Sequence, residues 1–163
     1  MHECNGWILQ LQGDQYVAIG ELELVHVIPD SPELFSVPQS PYYCRYVVIW
    51  HGQLLPVMDL ASCLAGKDFR SQVGISGLKT LVAVIAYQAH RQDEAQYGAL
   101  LLSKLPERIK VGDAQACTLP EHPEEWATLA ISCFAHPNYG PIPILDLPYI
   151  FSSALAVSPK VEC

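Results

Sequence analysis

Residues 38–64 form the segment that most constrains what this chain can fold into. Two apolar runs, residues 46–50 and 54–60, flank the dipeptide His51-Gly52. Glycine at a turn supplies the positive φ that a tight β-hairpin needs. The second run leads into a short Ala/Leu segment that Gly66 can end as a helix C-cap. The segment therefore predicts a buried β-hairpin followed by a short helix.

A five-residue pattern of this segment occurs a second time near the end of the chain. Pro-Val-Met-Asp-Leu at 56–60 recurs as Pro-Ile-Leu-Asp-Leu at 143–147, each time after a Gly-containing turn. This repetition indicates two similar lobes. The paired Asp59 and Asp146 are compatible with acid/base chemistry, because two adjacent carboxylates can share a proton. Helix N-capping is the favoured interpretation, since neither Asp precedes the Thr/Ser-Gly of an aspartic protease.

The rest of the sequence alternates short apolar runs with Gly, Pro and polar turns, which is typical of β proteins. Residues 21–28 are compatible either with an edge strand or with a short helix followed by a strand. We expect an extended connector rich in proline at 29–41, a mobile loop at 66–77, an acidic loop at 113–125 and a terminal helix at 149–155. The predicted strands lie at 7–11, 16–19, 46–50, 54–60, 78–87, 97–105, 126–134 and 142–147. Their spacing predicts a mainly β fold rather than a parallel α/β sheet.

The composition limits the class of partner. Half of the 163 residues are apolar and 16% are charged, which predicts a globular chain with one core or two small fused lobes. A net charge of −8 argues against nucleic acid or anionic membrane as a partner. The apolar run at 81–87 is too short to insert directly into a bilayer. The six cysteines show no C-x-x-C spacing, and no secretory signal is visible, which predicts a cytoplasmic protein with free thiols.

No enzyme signature is present in the sequence. It contains no G-x-S-x-G elbow, no H-E-x-x-H helix and no glycine-rich phosphate loop. Cys133 and His136 are close in sequence, but Cys133 lies in an apolar run, so a core thiol is the favoured interpretation. We therefore predict no catalytic residue, no cofactor and no metal ligand. A hydrolase using Cys133 or Asp146 stays open as an alternative, which a pocket with a strongly perturbed pKa would support.

The central hairpin resembles the CheW family, the adaptors of bacterial chemotaxis. The resemblance is carried by Val37-Pro38, Ser40-Pro41, Tyr42-Tyr43 and the runs 46–52 and 56–60, in the family's order. It spans nearly the whole chain and is specific over residues 37–60. The sequence departs from the family at two places. The family has Leu-Arg before the turn glycine, where this chain has Trp50-His51, and it commonly has an acidic residue where this chain has His26.

The resemblance implies a single domain over residues 1–163, built of two SH3-like five-stranded β-barrel lobes packed side by side with a few short helices. It implies a cytoplasmic adaptor without catalysis or cofactor. Such an adaptor would join the cytoplasmic tip of a methyl-accepting chemoreceptor to the regulatory domain of a CheA-type histidine kinase in two-component signalling. The departures are similar to those of accessory CheW-like proteins of type IV pilus systems.

The resemblance also implies a receptor groove between the lobes, while exposed barrel ends meet the kinase. Trp50 either anchors an apolar contact there or belongs to the core with His51 as a turn residue, and both interpretations remain open. A stand-alone oligomerising or decoy module that binds no receptor is the alternative function, which an exposed apolar patch without a groove would favour. The groove is predicted to include Leu24, His26, Ile28, Trp50, His51, Leu81 and Leu105.

Overall fold

The computed structural model of the protein describes residues 2–28, 33–66 and 80–152. Its helices are α1 (Leu60–Ala65), α2 (Trp126–Leu129) and α3 (Leu147–Ile150), with 3-10 turns at Tyr42–Cys44 and Asp113–Gln115. Within these residues the strands are β1 (Glu3–Gln10), β2 (Tyr16–Gly20), β3 (Leu24–Ile28), β4 (Phe35–Ser36), β5 (Tyr46–Trp50), β6 (Gln53–Met58), β7 (Leu81–Tyr87), β8 (Gln96–Leu102), β9 (Glu107–Gly112), β10 (Ala130–His136) and β11 (Gly140–Leu145).

The strands form two curled sheets, which we call lobe A and lobe B. Lobe A has five strands in the order β9-β1-β2-β11-β10, and lobe B has six in the order β3-β7-β8-β6-β5-β4. Lobe B is continuous in sequence, whereas lobe A is built from the segments before and after it. The predicted mainly β fold with two barrel-like lobes is confirmed; the short strand β4 adds a sixth strand to lobe B.

The two lobes have the same arrangement of paired strands, although the chain passes through these strands in a different order. In lobe B the hairpin β5–β6 runs antiparallel, and β6 then pairs in parallel with β8 of the hairpin β7–β8. In lobe A the hairpin β10–β11 runs antiparallel, and β11 pairs in parallel with β2 of the hairpin β1–β2. The fifth strands, β3 and β9, pair antiparallel with β7 and β1. The structure therefore repeats as the sequence pattern predicted.

The recurring aspartates occupy equivalent places in this repeat. Asp59 accepts a hydrogen bond from the Ser62 N–H at 3.2 Å, at the start of α1. Asp146 accepts one from the Tyr149 N–H at 3.2 Å, at the start of α3. Both aspartates are helix N-caps, which satisfy backbone donors that have no partner within the helix. The capping interpretation is confirmed.

The largest apolar cluster, which we call the central cluster, lies between the lobes. It holds 22 buried residues, including side chains of α1 and α3 and one face each of β1, β2, β7 and β8. Smaller clusters fill the interiors of lobe B and lobe A. Strand β7 shows the arrangement, because Ala83 and Ile85 face the central cluster while Val82 and Val84 face the interior of lobe B. Strands buried on both faces are apolar throughout.

The predicted strand at 126–134 is wrong at its start. Residues Trp126–Leu129 form the helix α2, and the strand begins at Ala130. Trp126 and Leu129 are both buried in the central cluster. Residues three apart share a face of a helix, whereas in a strand they would point to opposite faces. Burial of both side chains therefore decides the conformation.

Other differences lie at the ends of elements. Residues 107–112 form the full strand β9 on β1 rather than only the end of a hairpin. In the segment 21–28 the edge-strand alternative holds, because β3 is an edge of lobe B. The connector at 29–41 contains β4, and its residues 29–32 lie outside the described residues. The last helix spans Leu147–Ile150. Residues 153–155 of the predicted terminal helix and residues 67–77 of the predicted mobile loop lie outside the described residues.

Candidate protein-docking surface

The turn between β5 and β6 has two residues with positive φ. His51 has φ 48° and Gly52 has φ 76°, as a two-residue type I′ turn requires. The ring of Trp50 stacks on His51 at 4.1 Å and lies 5.4 Å from the ring of Tyr97. Trp50 and Tyr97 are half-buried against the interior of lobe B. This geometry supports the interpretation of Trp50 as a core-rim residue and of His51 as a turn residue.

The residues of the predicted receptor groove have different environments. Leu24 and Leu81 pack against the central cluster, whereas Ile28 and Trp50 pack against the interior of lobe B. The remaining three, His26, His51 and Leu105, are exposed.

The register of β3 on β7 shows how far these residues spread. Leu24 lies opposite Ile85 and Ile28 lies opposite Val82. At about 3.3 Å per residue, this part of the predicted site extends over about 10 Å along the edge of lobe B. The seven side chains are divided among the central cluster, the interior of lobe B and the exposed surface.

An apolar surface that the sequence did not single out lies on the outside of lobe B. Val48 and Leu55 face the interior, so the alternate residues Val47, Ile49, Leu54 and Pro56 face outward. Phe35 of β4 joins them, because it lies opposite Val47. The exposed fractions are 41% for Phe35, 54% for Ile49 and 66% for Leu54. We call Phe35, Val47, Ile49, Leu54 and Pro56 the outer patch.

The outer patch is arranged in register across three strands. Ile49 lies directly opposite Leu54, and Val47 lies opposite Pro56 on one side and Phe35 on the other. Such cross-strand neighbours form a continuous surface rather than scattered side chains. A contiguous exposed apolar patch is typical of a site of protein–protein interaction. The signal available in the sequence is that both strands are apolar at both sets of alternate positions, a pattern that predicts burial of the whole strand.

The chemistry of the remaining candidates does not support catalysis. Cys133 is buried, as predicted, and it lines a cavity of about 290 Å³ in lobe A together with Ile109 and Phe134. Burial and the adjacent Cys117 raise the pKa of Cys133 to about 12. A nucleophilic thiol requires a lowered pKa and an adjacent base. The pocket that the hydrolase alternative needed is present, but the pKa shift has the opposite direction.

His136 is engaged away from Cys133. Its Nδ1 accepts a hydrogen bond from the Asn138 N–H at 3.1 Å, and its ring stacks on Tyr139 at 4.6 Å. Across the described residues, no group of three or more His, Cys, Asp or Glu side chains is arranged to hold a metal ion. In the same part of the chain, every helix is too short or too polar to span a membrane.

Comparisons with known proteins identify the fold. No protein-family model matches the sequence, and no curated protein matches it significantly. Among solved structures, the chain is similar to the scaffolding protein TtCheW from Thermoanaerobacter tengcongensis, with a TM-score of 0.70. The similarity covers 93% of this chain and 90% of that chain, at 14% sequence identity. The protein therefore has the fold of a CheW scaffolding protein.

Proposed function

We propose that this single-domain protein is a non-enzymatic scaffold of a chemosensory array in the cytoplasm. It couples the cytoplasmic tip of a chemoreceptor to the regulatory domain of a CheA-type histidine kinase, in a chemotaxis or type IV pilus system. The proposal is supported by the fold shared with the scaffolding protein TtCheW. The observation that carries it is the outer patch, because a scaffold binds through exposed side chains held on rigid elements.

The two partners are assigned to different surfaces. The outer patch belongs to lobe B alone, and we assign it to the regulatory domain of the kinase. The receptor tip is assigned to the predicted groove, where His26, His51 and Leu105 are the exposed members. A scaffold that binds two proteins at once needs two such separate surfaces.

The kinase surface is tested with a matched pair of variants. Leu54 in the outer patch and Ile131 on β10 of lobe A are each 66% exposed. Leu54→Asp should weaken binding of the isolated kinase regulatory domain at least about tenfold, because a carboxylate would be desolvated in an apolar contact. Ile131→Asp should leave that affinity unchanged. Calorimetry that shows equal losses for the two variants would contradict the assignment.

The receptor surface is tested separately, with a soluble receptor fragment. Leu105→Asp and His26→Ala should weaken its binding, while affinity for the kinase domain stays at the wild-type value. Both positions are exposed, so neither substitution disturbs a packed core. The assignment fails if both variants bind the receptor fragment as the unmodified chain does.

The alternative function is a stand-alone module that associates with copies of itself. The outer patch is also the observation that favours this alternative, since two identical apolar faces can pair about a two-fold axis. Sedimentation of the purified chain distinguishes the two functions. Self-association that Leu54→Asp abolishes, without binding of receptor or kinase, would establish the alternative.

A further inference from the structure

The seam of lobe A is closed by a short segment rather than by a pair of long strands. The edge strands of this sheet are β9 and β10. Residues 113–117, which we call the strap, follow β9 and reach β10 through an isolated bridge between Ala116 and Phe134. The Gln115 side chain accepts from the Gly112 N–H at 2.9 Å and donates to the Ala135 carbonyl at 3.3 Å. The strap thus joins the two edges at one place.

Two cysteines face each other at this place. Because Ala116 lies opposite Phe134 in antiparallel register, the next pair is Cys117 and Cys133. The Cys117 N–H donates to the Cys133 carbonyl at 3.0 Å, and the two Sγ atoms are 3.4 Å apart. Cross-strand neighbours have Cβ atoms close to the separation that a disulfide needs. Bond formation therefore requires the two sulfur atoms to approach from 3.4 Å to about 2.05 Å.

The two thiols differ in access. Cys117 is half-buried, whereas Cys133 is 2% exposed. Burial, together with the adjacent thiol, raises the pKa of Cys133, which keeps this group protonated. Of the two, Cys117 is therefore the thiol more accessible to an oxidant in solution. Cys133 lies beneath the strap, where it is placed to react with the product.

We propose that Cys117 and Cys133 are a modification site at which a hydroperoxide forms a disulfide that fastens the strap to β10. The Cys117 thiolate attacks the peroxide, so a sulfur–oxygen bond forms, the oxygen–oxygen bond breaks and hydroxide leaves. The Cys133 sulfur then attacks Cys117 while its proton passes to the sulfenic oxygen, so a sulfur–sulfur bond forms, the sulfur–oxygen bond breaks and water leaves. The proton that Cys117 released on ionising converts the first hydroxide to water. The two sulfurs are oxidised and one peroxide is reduced.

The test uses the full chain with Cys4→Ser and Cys163→Ser, which leaves four of its six cysteines. The protein is treated with hydrogen peroxide, its remaining thiols are alkylated, and intact mass and peptide mapping are recorded. We expect a loss of two hydrogens, a peptide cross-linked between Cys117 and Cys133, and reversal by a thiol reductant. The unfolding temperature should rise by about 5 °C in the oxidised chain, because the bond closes a loop and so restricts the unfolded chain.

A second variant tests the order of the two steps. With Cys133→Ala the resolving sulfur is missing, so Cys117 should accumulate as a sulfenic acid that dimedone labels. A cross-link between other cysteines would overturn the proposal. It would also be overturned if Cys117 became oxidised without forming a cross-link in the chain that retains Cys133. A Cys117–Cys133 disulfide that leaves the unfolding temperature unchanged overturns the claim that it fastens the strap.

Discussion

The hairpin β5–β6 of lobe B and the hairpin β10–β11 of lobe A occupy the same place in their sheets, yet their outward faces differ. In lobe B these positions carry exposed apolar side chains, of which Ile49 and Leu54 are the most exposed. In lobe A they carry small residues, proline and a thiol covered by the strap. Three cross-strand pairs of lobe B have an equivalent in lobe A. Val47–Pro56 corresponds to Cys133–Pro143, and Ile49–Leu54 corresponds to Ala135–Pro141. Phe35–Val47 corresponds to Cys117–Cys133.

Both copies of the repeat thus keep apolar side chains inside their lobe, whereas their outward side chains differ. The backbone of the two aspartate caps is also equivalent in the two copies. The Asp59 N–H donates to the Tyr43 carbonyl at 2.7 Å, and the Asp146 N–H donates to the Leu129 carbonyl at 2.8 Å. Each bond ties the helix start to the short helix before the hairpin. A fold that is repeated twice in one chain can thus carry two different surfaces, and function is assigned to the surface rather than to the fold.

A substitution at the contact that joins the lobes should cost the most stability. A Cβ at Gly98 in β8 would overlap the ring of Phe151, which follows α3 of lobe A. That ring is buried and stacked on Tyr87 at 5.4 Å, so it has little room to move. Gly98→Ala should lower the free energy of unfolding by about 2–3 kcal/mol in denaturant titrations. Gly112→Ala, which meets only ordinary contacts, is the control, and equal losses for both would refute the prediction.

The two aspartate caps provide the next test of equivalence. Asp59 is buried and also accepts from the Ser62 hydroxyl at 2.7 Å, whereas Asp146 is only half-buried. Asp59→Ala should therefore cost about 2 kcal/mol of stability and Asp146→Ala about 1 kcal/mol. Thermal unfolding of both variants measures the difference. Asp59→Asn keeps an acceptor oxygen and should recover part of the loss; a larger cost at Asp146 would break the comparison.

The turn of lobe B is expected to show a smaller effect. His51 holds a left-handed conformation that is costly for branched side chains, so His51→Val should destabilise the protein by about 1 kcal/mol. His51→Gly should unfold at or above the wild-type denaturant concentration, because glycine adopts this conformation freely. Asn138→Val in the corresponding turn of lobe A serves as a control. If His51→Gly were the more destabilising variant, the stacking of His51 on Trp50 would outweigh the turn.

The smallest expected effect concerns the connection between the lobes. Glu23 accepts from the Gly20 N–H at 2.6 Å; burial raises its pKa above the ordinary value of 4.5, and the hydrogen bond only partly offsets this. The protonated form is therefore favoured in the folded state. The associated stability is present below the pKa of the unfolded chain and is lost as pH rises through the folded pKa.

Glu23→Gln should remove this pH dependence just above pH 4.5 and raise stability at neutral pH by less than about 1 kcal/mol, since the group is partly screened by solvent. Urea titrations between about pH 4 and 7 measure it. Glu94→Gln, at an exposed position, is the matched control. A Glu23→Gln variant with the wild-type pH profile would show that burial of this carboxyl is unimportant.

Local chemistry made much of the fold predictable. The glycine of the β5–β6 turn, the two Asp caps and the five-residue repeat each predicted a feature that the structure contains. The helix α2 was not predictable in this way, because its conformation is decided by packing of Trp126 and Leu129 in the central cluster. Periodicity within the segment carries no information about a cluster formed by distant strands.

The candidate surfaces were less predictable than the fold. Strands β5 and β6 are apolar at both alternate sets of positions, so the sequence does not reveal which set is exposed. The pairing of Cys117 with Cys133 depends on the strap reaching β10 across an irregular segment. The receptor groove rests on the family resemblance, and it stays a prediction that the binding experiments address.

The interruption of lobe A by lobe B sets an order of events during synthesis on the ribosome. Strands β1 and β2 emerge first, but the partner of Glu3 is Gly112 and the partner of Ala18 is Ile144. Lobe B, by contrast, has all of its strands once residue 102 has emerged. The first hairpin therefore waits with unpaired edges until the last third of the chain is made, which is the interval in which a nascent protein is most exposed to misassembly.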